Sequence, residues 1–437
     1  MNYIQEIVEA QKKGKHTGVY SACTANSYVL KAVLKKAHET NTYALIEATA
    51  NQVNQHGGYT GMTPQKFRTN VLELANQIGI DQSKVILGGD HLGPLTWSNL
   101  TEDEAMIHSE SLIRCYIEAG FTKIHIDTSM HLGNDDPNAP LDILKIARRS
   151  ARLCQVAEAA YADLHVRHLD FSAPVYVIGS EVPIPGGSQQ NDSNIQITLP
   201  KDCLAMVSTF ENVFSERNLE DAWKRIVGIV VQPGVEFSNN QIFHYNRQAA
   251  ENLTGIISKL PMVFEGHSTD YQSRLSLREM VEDGIAILKV GPALTFSLRE
   301  GFFALEAIER ELLSGSGLWL SDFSNSLERT MLEKPTHWEK HYRGNGEETH
   351  LMRKFSFSDR SRYYLSNARM LASVERLLRN LNSTSIPLSL LSQYLPLQFQ
   401  KCRVQHLSTR AEFLLFDKVG DLIDDYLYAM DPKQLAR

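Results

Sequence analysis

The chain is poor in cysteine. Five are spread over 437 residues (Cys23, Cys115, Cys154, Cys203 and Cys402), with no Cys-x-x-Cys pair among them. An odd, scattered set builds neither a disulfide framework nor a zinc knuckle, so the fold is expected to rest on a core with reduced thiols. Long apolar runs are missing too. No stretch of about 18 apolar residues occurs, which excludes a membrane-spanning helix. The opening "MNYIQEIVEAQKKGKHTG" is polar and amphipathic and lacks the apolar centre of a secretory signal. The expected location is the cytoplasm, with no membrane partner. Charge of one sign never accumulates: 44 Lys and Arg stand against 51 Asp and Glu, for a net charge of -7. That balance excludes nucleic acid as a partner.

What is present is apolar residue in quantity, 43% of the chain, enough for a large core and for more than one domain. It is arranged in eight short runs: "GVYSACTA" (18–25), "YALIEAT" (43–49), "VILGGD" (85–90), "KIHIDTS" (123–129), "VYVIGSEV" (175–182), "IVGIVVQPG" (226–234), "MVFEGHS" (262–268) and "IAILKVG" (285–291). Between them, segments such as "NSYVLKAVLKKAHET" repeat apolar residues at intervals of three and four, as an amphipathic helix requires. Near-continuous apolar strands alternating with helices predict a parallel sheet covered by helices. Eight such units predict an α/β fold, a (β/α)8 TIM barrel over residues 1–300. A doubly wound open sheet is the alternative, but no G-x-G-x-x-G follows the first run. Beyond residue 300 the pattern turns helical and more charged, which predicts a C-terminal helical extension over 301–437.

In such a barrel the functional face lies at the carboxyl ends of the strands. The runs end on Glu47, Asp90 with His91, Asp127 with Ser129, Glu181, Gln232 and His267. One carboxylate can simply cap the next helix, and one histidine can be satisfied in the core. Six polar strand ends at one mouth point to a site. Two imidazoles with a carboxylate or amide can hold zinc or another divalent metal, and a neighbouring carboxylate such as Asp90 can move a proton beside a polarised carbonyl. His125 shares the parity of Asp127 but stops two residues short of it. "HSTDYQ" and "VGPALTF" follow the last two strands, where barrels often bind phosphate through loop N–H groups, so Ser268 and Thr269 join Glu47, Asp127 and Ser129 as candidate substrate contacts.

The stretches "IEATANQVNQHGGYTGMTP", "LGGDHLGP", "IGSEVPIPGG", "VVQPGVEF", "EGHSTDYQ", "KVGPALTF" and "SFSDR", with "PLSLLSQYLPLQF" near the end, resemble the Z-type subunits (GatZ/KbaZ family) of tagatose-1,6-bisphosphate aldolase. The resemblance runs nearly the whole chain. It implies an accessory subunit needed for the full activity and stability of a Y-type, zinc-dependent class II aldolase subunit, in galactitol or N-acetylgalactosamine breakdown. Self-association into a homo-oligomer is compatible with it. Some members carry the label of a tagatose-6-phosphate kinase, and the absence of a Walker-type or glycine-rich nucleotide loop argues against that activity.

The family also looks distantly related to class II aldolases themselves. By that likeness Asp90 matches the acid beside a metal histidine and His91 matches that histidine, Glu181 matches a glutamate before a Gly-Gly pair, and His267 stands where another metal histidine does. Gln232 stands where the active enzymes have their remaining metal histidine. Asp270 brings a negative charge into the loop that binds a phosphate dianion there. These departures imply a degenerate site. The alternative is a metal-dependent aldolase or epimerase acting by itself on a phosphorylated ketose, with His91, Glu181 and His267 on the metal, Gln232 the doubtful fourth, and Asp90 as the acid or base.

Overall fold

The computed structural model describes residues 2–167, 171–179, 195–431 and 433. Eight parallel strands close into a barrel: β1 (Val19–Cys23), β2 (Ala44–Thr49), β3 (Val85–Leu92), β4 (Lys123–Ile126), β5 (Val175–Ile178), β6 (Ile226–Val231), β9 (Val263–Gly266) and β10 (Ile285–Val290). β7 (Glu236–Phe237) and β8 (Ile242–Phe243) form a small antiparallel ribbon after β6. β1 pairs with β2 on one side and with β10 on the other, which closes the sheet. Each of the eight predicted runs therefore contributes one barrel strand, with a helix packed outside.

Strand parity divides the residues between two layers. On β2, Ala44, Ile46 and Ala48 face the helices, while Leu45 and Glu47 face the barrel axis. The axis is filled in tiers. Lowest are Val19, Leu45, Val263 and Ile287, sealed from below by Ile4, Ile7 and Val8 of the N-terminal helix Tyr3–Lys12. That helix is held at its start by an Asn2 capping box with Gln5. Above the apolar tier come Glu47, Lys123, Glu265 and Lys289, all buried, and above these His91, His125, Asp127 and His267.

The boundary drawn at residue 300 falls inside a helix, Pro292–Leu313. The last helix, Ala411–Met430, packs on that helix and on Ser27–Thr40 and Arg274–Glu282, so it covers the seam between the first and last barrel units. Tyr426 donates to the Thr269 carbonyl at 2.8 Å, and Thr17 to the Met430 carbonyl at 2.8 Å. One continuous apolar core includes Leu294 and Phe302 of the barrel together with Leu414, Leu415 and Ile423 of the tail. The segment Ser356–Tyr364 is tied to the barrel loops: Arg299 pairs with Asp359 at 3.0 Å, and Tyr271 donates to the Phe357 carbonyl at 2.6 Å.

Candidate active site at the barrel mouth

Asp90 and His91 are neighbours on β3, so a regular strand would turn them to opposite faces. The register with β4 shows why both reach the mouth. Gly89 pairs with Ile124 and Leu92 with Ile126, so β3 spends one more residue than β4 over the same span. That extra residue is a bulge, and His91 takes the left-handed conformation at φ 47°. Non-glycine residues adopt that region at a cost, and such strain collects at functional sites. Gly88, on the same strand, leaves room for Glu47: a Cβ there would lie 2.7 Å from its Cγ.

Three imidazoles then converge. The ring centroids of His91 and His125 are 4.8 Å apart, those of His91 and His267 4.9 Å, and those of His125 and His267 5.2 Å. Each ring has one nitrogen held by an oxygen: His91 Nδ1 by Asp127 at 2.9 Å, His267 Nε2 by Glu265 at 2.9 Å, and His125 Nε2 by the Gly179 carbonyl at 3.0 Å. Metal-binding histidines are oriented in this way, one nitrogen fixed by an outer oxygen and the other freed as a lone pair. One donor atom from each of Asp90, His91, His125 and His267 lies within 4.8 Å of the others. His125 Nδ1 accepts the His91 main-chain N–H at 3.2 Å and also stands 3.0 Å from Asp90 Oδ1. A cation bound there would take the Nδ1 lone pair in place of that N–H, with Asp90 Oδ1 beside it.

Charge balance bears on the same cation. Lys123 Nζ lies 2.5 Å from Glu47 Oε1 and 2.7 Å from Glu265 Oε2, close but off the hydrogen-bond direction. Lys289 donates to Glu47 and lies 2.6 Å from Asp90 Oδ1. Burying each ion costs several kcal/mol before pairing offsets it, so the count of charges matters. The carboxylates of Glu47, Asp90, Asp127 and Glu265 exceed the two ammonium groups by two charges if the imidazoles are neutral. A divalent cation on the imidazoles cancels that excess, so the donor set fits one.

The titration shifts follow from this packing. Burial would raise Asp90, but Lys289, His91 and His125 overcome it and hold the carboxyl well below its usual range. Burial would lower His91, yet Asp90 and Asp127 raise it. Burial brings His267 down to about 3, helped by the charge of His91, so it remains a neutral donor. Asp127 falls to about 2 because its bond to His91 outweighs burial.

Of the sequence-derived residues, the fold brings together Glu47, Asp90, His91, Asp127 and His267. Ser268 borders the same cavity. Gln232 does not join the imidazoles: its side-chain oxygen accepts the N–H groups of Gly234 and Val235 at 2.8 and 3.0 Å, closing its own turn. Ser129 is spent on Asp127 at 2.7 Å, and Thr269 donates to the Lys289 carbonyl at 2.7 Å. Glu181 lies outside the described residues. The reading of strand ends missed Lys123, Glu265 and Lys289, which sit one tier below the imidazoles, and set aside His125, which stands in their tier. The available signal was period two: Lys123, His125 and Asp127 share one parity, as do Glu265 and His267.

Asp270 has a separate place. Its Oδ1 accepts the N–H groups of Gly291 and Ala293 at 3.0 and 2.8 Å, at the start of the helix Pro292–Leu313. A helix N-terminus at this position is where a barrel commonly holds a phosphate, and here a side-chain carboxylate takes its donors. Above the mouth, Arg362 and Tyr363 of the tail border a cavity of about 90 Å³ together with Asp90, His91, His267 and Lys289.

Fold and site together define a (β/α)8 barrel protein with a buried charged axis and a histidine-ringed mouth. Residues 4–431 match the family described as D-tagatose-1,6-bisphosphate aldolase subunit GatZ/KbaZ-like, and the chain belongs to that family. The D-tagatose-1,6-bisphosphate aldolase subunit GatZ of Klebsiella pneumoniae is 44% identical over 425 residues, 97% of this chain and 98% of that protein. The GatZ subunit of Salmonella gallinarum is 43% identical over 429 residues, 98% of this chain and 99% of that one. A solved structure from Sinorhizobium meliloti 1021, described as a probable tagatose 6 phosphate kinase, superposes with a TM-score of 0.86 at 40% identity, covering 94% of this chain and 100% of that one.

Proposed function

We propose that this chain is the accessory subunit of a cytoplasmic tagatose-1,6-bisphosphate aldolase, required by a Y-type class II aldolase subunit for full activity and stability. The observation that carries the reading is the match over residues 4–431 to a family described as an aldolase subunit, supported by relatives of the same length and description. The mouth of the barrel is the place where such a subunit keeps an aldolase-like donor set. In this reading His91, His125 and His267 hold a divalent cation, zinc or manganese, with Asp90 beside it. The ion would supply Lewis-acid polarisation of a bound oxygen. The protein's own contribution is to fix three imidazole tautomers and to keep Asp90 ionised against Lys289.

Two measurements test this. Cleavage of tagatose 1,6-bisphosphate is followed with this chain alone, a Y-type subunit alone, and both together. The expected result is activity from the Y-type subunit that this chain increases and prolongs; no change in rate or lifetime refutes the accessory role. Turnover by this chain alone, lost with Asp90→Ala, would instead make it an enzyme in its own right. Separately, elemental analysis after purification with supplemented metal is expected to find roughly one equivalent in the wild type and less than about a tenth in His125→Ala, since three imidazoles are the ligands. Equal metal in both excludes the triad.

A further inference from the structure

We propose that Arg362 and Tyr363, supplied by the segment that follows the barrel, form an oxyanion subsite at the roof of the mouth. Its ligand is a small phosphomonoester whose other end, a carboxylate or a hydroxycarbonyl, reaches the histidine triad. The proposal rests on the metal reading of that triad.

The first observation is position. Arg362 and Tyr363 border the same cavity as His91, His267 and Asp90. A second cavity of about 290 Å³ is also bordered by Cys23, Gln52, Tyr59 and Arg362, so Arg362 lines both.

The second is unbalanced positive charge at the roof. Arg360 and Arg362 flank the Tyr363 ring, their guanidinium carbons 5.5 and 4.6 Å from its centroid. Arg362 donates to the Tyr363 hydroxyl at 3.1 Å, to the Asp359 carbonyl at 3.0 Å and to the Ser358 carbonyl. Arg360 donates to the His337 carbonyl at 3.2 Å and to His341 Nδ1 at 2.9 Å, and its Nε is buried without a partner. Every one of these partners is neutral. Among the described residues neither guanidinium is ion-paired with a carboxylate.

The carboxylates nearby are committed elsewhere. Asp359 is bound by Arg299 at 3.0 Å and by Thr295 at 2.7 Å, and Asp270 by the N–H groups of Gly291 and Ala293. Two cations thus stand beside Tyr363, over a mouth whose charge a divalent cation on the imidazoles would balance, the arrangement that selects a ligand with a metal-seeking end and an anionic end. A guanidinium's planar fork suits phosphate oxygens.

The third is displacement. The helix N-terminus at Gly291 is filled by Asp270, so an anionic group cannot use the donors that a barrel usually offers there. Among the described residues that line this cavity, Lys289 is paired with Glu47 and Asp90, and Arg362 is the cation without a carboxylate partner.

Calorimetric titration tests the subsite. With the metal-loaded chain, 2-phosphoglycolate and glycolate are compared, because both offer a carboxylate to the metal and only one carries a phosphate. With the metal-stripped chain, inorganic phosphate alone is titrated. The wild type is expected to bind 2-phosphoglycolate at least ten-fold more tightly than glycolate. Arg362→Gln is expected to lose that preference and to lose phosphate binding in the stripped chain, with metal content and glycolate affinity unchanged. Arg362→Lys, which keeps the charge without the fork, is expected to retain part of the preference and replaces the glutamine variant if that one fails to fold. No preference for the phosphorylated probe in the wild type overturns the proposal without any variant. A preference undiminished in both variants overturns it too. Loss of metal binding would count against the triad and is read separately, by elemental analysis.

Discussion

Asp270 shows how one side chain can cost stability while holding a helix. Burial lifts its carboxyl from 3.8 to about 6, although the N–H groups of Gly291 and Ala293 pull the other way. A folded-state pKa raised above the unfolded value contributes stability that is fully present below about pH 3.8 and is lost as pH rises through about 6. Asp270→Asn keeps an acceptor for both N–H groups and carries no charge. It is expected to stabilise the chain above pH 6 by at most about 3 kcal/mol and to give no gain below pH 4, read from urea midpoints at the two pH values. Lys123 is the opposite case. Fully buried between Glu47 and Glu265, it cannot be removed without leaving two carboxylates face to face. Lys123→Met is expected to destabilise by about 3–5 kcal/mol, with part recovered when Glu47→Gln is added, in a denaturation double-mutant cycle.

Among the elements, the bulge in β3 and the helix Ala411–Met430 decide most. The bulge converts an alternating strand end into two adjacent side chains, Asp90 and His91, that share one mouth. The helix covers the seam of the barrel with Leu414, Leu415, Val419 and Ile423, all buried. It comes so close to the helix Pro292–Leu313 that a Cβ on Gly301 would lie 2.7 Å from Leu415 Cδ2. Leu415→Ala is expected to cost about 2–5 kcal/mol, since the two helix backbones limit collapse of the cavity it leaves. A change within about 0.5 kcal/mol in the denaturation midpoint would show that the helix is dispensable.

For the whole molecule, the buried charges couple pH to ligand binding. His91 is raised by Asp90 and Asp127 despite its burial, so protons compete for its free nitrogen earlier than for an ordinary imidazole. If the triad holds a divalent cation, metal content should fall on acidification as pH drops through that raised value, while His267, neutral down to about 3, adds nothing to the profile. Equilibrium dialysis at a series of pH values measures this. A metal content that does not change on acidification would remove His91 from the ligand set.

The barrel was legible because its cause is local. Eight apolar runs separated by amphipathic segments can close in few ways, and each run carries its own period. The strand-end acids and histidines were legible for the same reason. The family was legible in long stretches of sequence rather than in any physical pattern. What the chain alone left open depended on depth and on distant pairing. Lys123 and Lys289 became site residues only when the barrel set them against Glu47, Glu265 and Asp90 from other strands. His125 joined His91 and His267 because three strands converge on one axis. Gln232, at a strand end like the others, turned away because its own loop offered two N–H groups. The tail read as a helical extension, and only tertiary packing placed Arg362 and Tyr363 at the mouth, some seventy residues beyond the last strand. Periodicity records which face a residue prefers, whereas the pairing of buried charges is fixed by the closed sheet and by what covers it.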